Sequence, residues 1–162
     1  MGHYEKCNIV RDRSIAVVVP FLEQRGWTLT PYVTEENQLT RGDYLGERLG
    51  SLGRELVNWE MKAEQAHTGN LLIEEWSNRG FRAGWFHNLR QCHRILYHFL
   101  NTGDAYVLDF PALRNYNVER WPLVHVDADQ KNNTWGWKVP VRHLTESEVI
   151  IGQFKIPVDF SR

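Results

Sequence analysis

Cysteine is scarce in this 162-residue chain. Cys7 and Cys92 allow one bridge at most, which excludes a disulfide scaffold and makes a reducing cytoplasm the default compartment. Long hydrophobic runs are lacking as well. The longest, Ile15 to Leu22, falls far short of the ~20 residues a membrane-spanning helix needs. Met1 to Cys7 is polar and does not read as a secretory leader, so a cytoplasmic location and no membrane partner are expected. An excess of charge of either sign is missing too. Nineteen Lys and Arg against twenty Asp and Glu leave a formal charge of −1, which excludes a histone-like binder held by bulk charge but not a local basic groove. There is no internal repeat, no low-complexity tract and no linker, so residues 1–162 read as one domain.

Ordinary globular composition remains, with 42 % hydrophobic and 24 % charged residues, together with seven tryptophans. Ser14 to Arg25 reads as a helix capped by Ser14, kinked at Pro20 and ended by Gly26, with a strand as the other option because of Val17-Val18-Val19. Trp27 to Val33 alternates like a strand, and 34–40 reads as a loop. The clearest strand is Glu55 to Ala63. Val57, Trp59, Met61 and Ala63 leave one face, and Asn58, Glu60, Lys62 and Glu64 the other. Further strands are expected at Leu71 to Trp76, Arg94 to Leu100, Ala105 to Phe110, Leu123 to Val126 and Trp135 to Val141, with a loop over 127–134. Short helices are expected at Trp85 to Gln91 and from Pro111 through Leu113 to Val118. The order predicts an α/β fold: a mixed central sheet flanked by helices.

Chemistry concentrates on the polar face of the clearest strand. Glu60 and Lys62 lie two apart and leave the same side. Such a pair is, on its own, most often a solvated ion pair. Asp43 lies upstream, so two carboxylates can converge at one end of the sheet, and oxygen donors of that kind suit a hard cation such as magnesium. A lysine beside them can stabilise charge developing on a phosphate.

Asp43 followed by Glu60-Met61-Lys62 resembles the PD-(D/E)XK nuclease superfamily. The stretch from Glu60 through Thr68-Gly69-Asn70, Leu71-Leu72-Ile73 and Glu74 is similar to phage and prophage members of it. The likeness runs on through Gly84-Trp85, Ile95 to Phe99, Tyr106 to Leu108, Pro111 to Arg114 and Trp135 to Pro140, so it covers roughly residues 14 to 144. It implies a restriction-endonuclease-like core, a metal-dependent endonuclease acting on DNA with RNA not excluded, and a bacterial or phage-infected host cell. Many superfamily members dimerise, which leaves a homodimer open. Carried over, Asp43 and Glu60 would hold Mg2+ or Mn2+, the Met61 carbonyl would add a ligand, and Lys62 would be the catalytic lysine. Glu64, on the face of Glu60 and Lys62, Glu74, on the strand expected to neighbour theirs, and Gln91 are accessory candidates, and Asp12 or Glu23 would stand for a first-helix acid. Two departures are visible. Gly42 stands where the family name has proline, and the spacer from Asp43 to Glu60 is longer than a tight hairpin, which opens Glu47 or Glu55 as substitutes.

Between Trp76 and Gly103 there is no acidic residue, while Arg79, Arg82, Arg90 and Arg94 make a candidate nucleic-acid surface. Phe81, Trp85 and Phe86 lie among them and are candidates for stacking on bases, the other option being a solvated basic face with its aromatics turned inward. His87, His93 and His98 lack zinc-site spacing, and the glycines make neither a phosphate-binding loop nor a dinucleotide fingerprint. Trp135 and Trp137 share a strand face and are expected to pack together. The expected function is therefore a magnesium-dependent nuclease. The alternatives are a nucleic-acid-binding module on the same fold without a working metal site, and a protein that docks a protein or sugar partner through aromatic residues.

Overall fold

A computed structural model describes residues 3–126 and 133–161, with the backbone alone for 3–7. The elements run α1 His3–Glu23, β1 Thr28–Pro31, α2 Glu35–Arg41, β2 Tyr44–Gly50, β3 Gly53–Glu64, β4 Asn70–Asn78, β5 Arg82–Ala83, α3 Trp85–Asn88, β6 Arg94–Phe99 and β7 Asp104–Asp109. They continue with α4 Phe110–Asn115, a 3-10 turn Val118–Arg120, β8 Leu123–His125, β9 Trp135–Pro140, α5 Val141–Glu146 and β10 Ile150–Lys155. The fold is α/β. A six-stranded mixed sheet has the order β1-β2-β3-β6-β7-β10, and a second, four-stranded sheet has the order β5-β4-β9-β8. Among the described residues of the large sheet, only the β3–β6 pair is parallel.

Each layer follows from side-chain periodicity. Strand residues alternate between faces, so β3 sends Val57, Trp59 and Met61 to the back, where Leu96 of β6 and Val107 of β7 join them. Helix α1 covers this back face with Val18 and Leu22, and with Val17 and Phe21 beside them, a stripe at helical spacing. The front face carries Ile95, Tyr97 and Phe99 of β6 with Tyr106 and Leu108 of β7. On it packs the small sheet through Leu71, Ile73, Trp137 and Val139, with Trp85, Leu113 and Leu144 from the short helices.

Several expectations need correction. The first helix starts well before Ser14, which is no cap: it is buried and hydrogen-bonds His98 Nδ1 at 2.9 Å. Pro20 sits inside α1 on an exposed side shared with Ala16, so the carbonyl that loses its N–H partner meets water. Residues 35–41 form a helix rather than a loop, capped by the Thr34 hydroxyl, which accepts the Asn37 N–H at 3.3 Å. The strand holding Glu74 does not neighbour β3; it belongs to the second sheet, because its partner is β9. Both short helices end earlier than expected, at Asn88 and Asn115. Beyond Leu144 the chain adds β10, which pairs with β7 and closes the large sheet. Trp135 and Trp137 part company: Trp137 is buried against Phe86, whereas Trp135 stacks on His125 with ring centroids 5.1 Å apart. Most of the expected loop 127–134 lies outside the described residues. Among those described, no helix is long and apolar enough to cross a membrane.

Candidate active site

The hairpin β2–β3 brings the acids together. Its strands pair from Gly50↔Gly53 at the turn back to Tyr44↔Trp59, so the residue before β2 reaches the level of Glu60. The spacer that looked too long for a hairpin is the length of its two arms. Asp43 is thereby fixed on the edge of β3. Its N–H donates to the Trp59 carbonyl at 2.8 Å, its carbonyl accepts the Tyr32 N–H at 2.9 Å, and its Oδ2 accepts the Met61 N–H at 2.9 Å. In an extended strand the N–H and C=O of one residue point to the same edge, so the Met61 carbonyl faces the Asp43 side. Gly42 allows this approach. It adopts φ +108°, and a Cβ there would lie 2.5 Å from the Trp59 carbonyl oxygen. Proline, tied to φ near −65°, cannot take this conformation, so it is excluded at this position.

Glu60 and Lys62 project from the front face and pair at 2.6 Å between Oε1 and Nζ. Glu60 is 8 % exposed. Burial raises its pKa, against the opposing pull of Lys62. Burial pulls the Lys62 ammonium down, but Glu60, Glu74 and Asp43 more than offset it, and the net pKa is above the ordinary lysine value. Lys62 thus stands at the cleft as the cationic partner of Glu60. Its Nζ lies 5.5 Å from the centre of the Trp85 ring.

A cleft of about 170 Å³ opens over this pair. Its lining includes Glu60, Lys62, Glu74, Arg82, Trp85 and Asn88. Glu74 arrives from the second sheet, held by the Trp85 N–H at 3.3 Å to Oε1. Sequence reasoning thus found Glu74 on a wrong premise: it faces β3 from the opposing layer. Glu64 shares the face of Glu60 but turns to the Tyr97 hydroxyl, which donates to it, and burial raises its pKa. That hydroxyl also accepts the Leu72 N–H, so Glu64 belongs to the joint between the sheets.

The other predicted residues scatter. Gln91 does not line the cleft; its main chain ties Thr40 to Asn58, donating to the Thr40 carbonyl and accepting from Asn58 Nδ2, each at 2.8 Å. Arg94 is not on a basic surface with Arg79 and Arg82. It lies on the back face, paired with Glu55 at 3.0 Å and beside the rings of Trp27 and Trp59. Arg90 is exposed beyond α3. Neither proposed substitute for Asp43 stands near it: Glu55 pairs with Arg48 and Arg94, and Glu47 with Arg54. Asp12 and Glu23 are exposed, and α1 contributes a cation instead. Arg11, missed in the sequence, donates to Asp43 Oδ1 at 2.5 Å. Its signal was one helical turn from Ser14, legible only once that helix was known to start earlier.

Asp43, Glu60 and the Met61 carbonyl are oxygen donors of the kind that suits a hard cation, which keeps several waters of its own. Among the described residues no three His, Cys, Asp or Glu side chains converge, so this arrangement would offer a cation at most two carboxylates and one carbonyl. Within that share the chemistry fits. No protein-family model matches the chain, and no match is found among the curated proteins or the solved structures.

Proposed function

We propose that this protein is a metal-dependent nuclease of the PD-(D/E)XK type that hydrolyses phosphodiester bonds in DNA. The observation that carries the reading is the hairpin register that bonds Asp43 to the Met61 N–H, next to the Glu60–Lys62 pair that lines an open cleft. Asp43, Glu60 and the Met61 carbonyl would hold Mg2+ or Mn2+. When bound, the ion supplies an activated water and offsets charge on the phosphate. Lys62 pairs with Glu60 and faces the same cleft, so its part would be to balance negative charge on the phosphate oxygens as the bond breaks. Trp85 holds Glu74 at the opposite wall through its main-chain N–H, where the carboxylate can orient a water or the substrate strand.

One observation favours a second reading, a nucleic-acid-binding module without a working metal site. Both acids already face an internal cation, Arg11 on Asp43 and Lys62 on Glu60. Cleavage of plasmid and single-stranded DNA in magnesium, manganese or EDTA separates the two, with Glu60→Gln and Lys62→Ala as the variants. The nuclease predicts metal-dependent cutting that falls about a hundred-fold or more in both folded variants. Binding without cutting, unchanged in either variant, supports the module and overturns the nuclease.

A further inference from the structure

The three candidate stacking rings of the basic segment separate in space: Trp85 and Phe86 join the core and Phe81 does not. Trp85 is 8 % exposed, and Phe86 packs against Phe110 and Trp137. Phe81 is 89 % exposed. It sits in the turn between β4 and β5, and nothing about that turn requires an aromatic ring. Gly80 supplies φ +85°, the Phe81 N–H donates to the Asn78 carbonyl at 2.9 Å, and the Arg79 N–H donates to the Asn133 carbonyl at 2.9 Å. Backbone bonds therefore hold the turn, and its phenyl group faces water at the cost of exposed apolar area.

Its neighbours give that ring a context. Arg82, the next residue, lines the cleft with Glu60, Lys62 and Glu74. Arg79, two residues before, is exposed and places its guanidinium 4.4 Å from the centre of the Trp135 ring. An exposed ring between two arginines, beside a cleft that holds a lysine, matches a strand of alternating phosphates and flat bases. We infer that Phe81 is a stacking platform for one unpaired base of a nucleic-acid strand, whose neighbouring phosphate is held by Arg82 at the mouth of the cleft. The inference rests on the proposed function for its polymer and goes beyond it in substrate structure. In an intact duplex each base is stacked on its neighbours and offers no free face, so the platform selects single-stranded or frayed nucleic acid over blunt duplex. Stacking reads the π-face of any base and carries little sequence preference.

Binding of the full chain in EDTA tests this without any cleavage. The probes are a labelled single-stranded DNA oligonucleotide, the same sequence as RNA, a blunt duplex of equal length, and a single strand carrying 2-aminopurine. Wild type is expected to bind the single strands more tightly than the duplex and to change the 2-aminopurine emission. Phe81→Ala weakens single-strand binding about ten-fold, the loss of one base stack, and abolishes the emission change. Phe81→Trp restores both. Arg82→Ala weakens every probe and lowers the salt dependence of binding. Loss of affinity for the RNA strand in Phe81→Ala supports the inference equally, since a stack is blind to the sugar, and the two arms show which polymer is preferred. Unchanged single-strand affinity and emission in Phe81→Ala overturn it, as does preference for the duplex or no binding to any probe. Metal-dependent cutting that ignores Phe81 refutes this inference alone. Phe81-dependent binding with no cutting upholds it and refutes the nuclease.

Discussion

Replacing Gly42 by alanine puts the geometry of the site under a direct load. The added Cβ would lie 2.5 Å from the carbonyl oxygen of Trp59 and 2.9 Å from its carbonyl carbon. Those atoms are main chain of a central strand, so no side-chain rotation relieves the clash. A non-glycine residue at φ +108° also costs about 1–3 kcal/mol. Shifting the chain to escape loosens the 2.8 Å bond from the Asp43 N–H to Trp59, worth about 1 kcal/mol more. The total of about 2–4 kcal/mol corresponds to a drop in Tm of about 5–15 °C for a domain of this size. Thermal unfolding by circular dichroism measures that drop. Amide hydrogen exchange at Met61, whose N–H is held by the Asp43 carboxylate, reports whether the site itself has moved. Gly80→Ala is the control. Its φ of +85° carries a similar backbone penalty, but a Cβ there has nothing within 4 Å. Gly42→Ala that unfolds within about 2 °C of wild type or no earlier than Gly80→Ala, with the Met61 amide unchanged, would refute the reasoning.

Two further perturbations probe buried charge. Lys62→Ala strands the Glu60 carboxylate, at a cost of about 3 kcal/mol near pH 8. With burial holding its folded-state pKa above the unfolded value, the folded chain binds the extra proton, so stability falls as pH rises. The Tm deficit of this variant is therefore expected to be larger at pH 8 than at pH 5, and equal deficits would contradict it. His98 reports with the opposite sign. Its Nε2 must donate to the Ile156 carbonyl at 2.8 Å, burial lowers its pKa and so favours the neutral ring, and in that ring Nδ1 accepts from the Ser14 hydroxyl. The unfolded chain takes up that proton near pH 6.5 while the folded one does not, so stability falls as pH drops through that value. Ser14→Ala leaves the buried ring nitrogen without its donor and costs about 1–3 kcal/mol. An NMR titration placing the His98 pKa at or above 6.5 in the folded protein would dispose of this account.

Residues that alternate or recur with a fixed period were legible without any coordinates. The two faces of β3, the strands β6 and β7 around Asn101 to Asp104, and the place of Pro111 at the start of α4 are all local facts of chain geometry. Periodicity has no term for which strand pairs with which. It made one sheet of strands that form two, because Leu71 to Trp76 reads the same whether its partner is β3 or β9. It missed α2, a short polar helix with no buried residue to mark it. The basic run between Trp76 and Gly103 was one feature in sequence and became two in space, since one face of the fold took Arg94 and another kept Arg79 and Arg82.

The candidate site divides along the same line. Glu60 and Lys62 share a face by the two-residue period of a strand, so that pair was determined by sequence alone. Asp43 joins them through hairpin register, Glu74 through the packing of one sheet on another, and Arg11 through the docking of α1. Each of those is a contact between segments far apart in the chain. What a residue's neighbours in sequence decide, the sequence shows; what its neighbours in space decide had to wait for the core that brings them together.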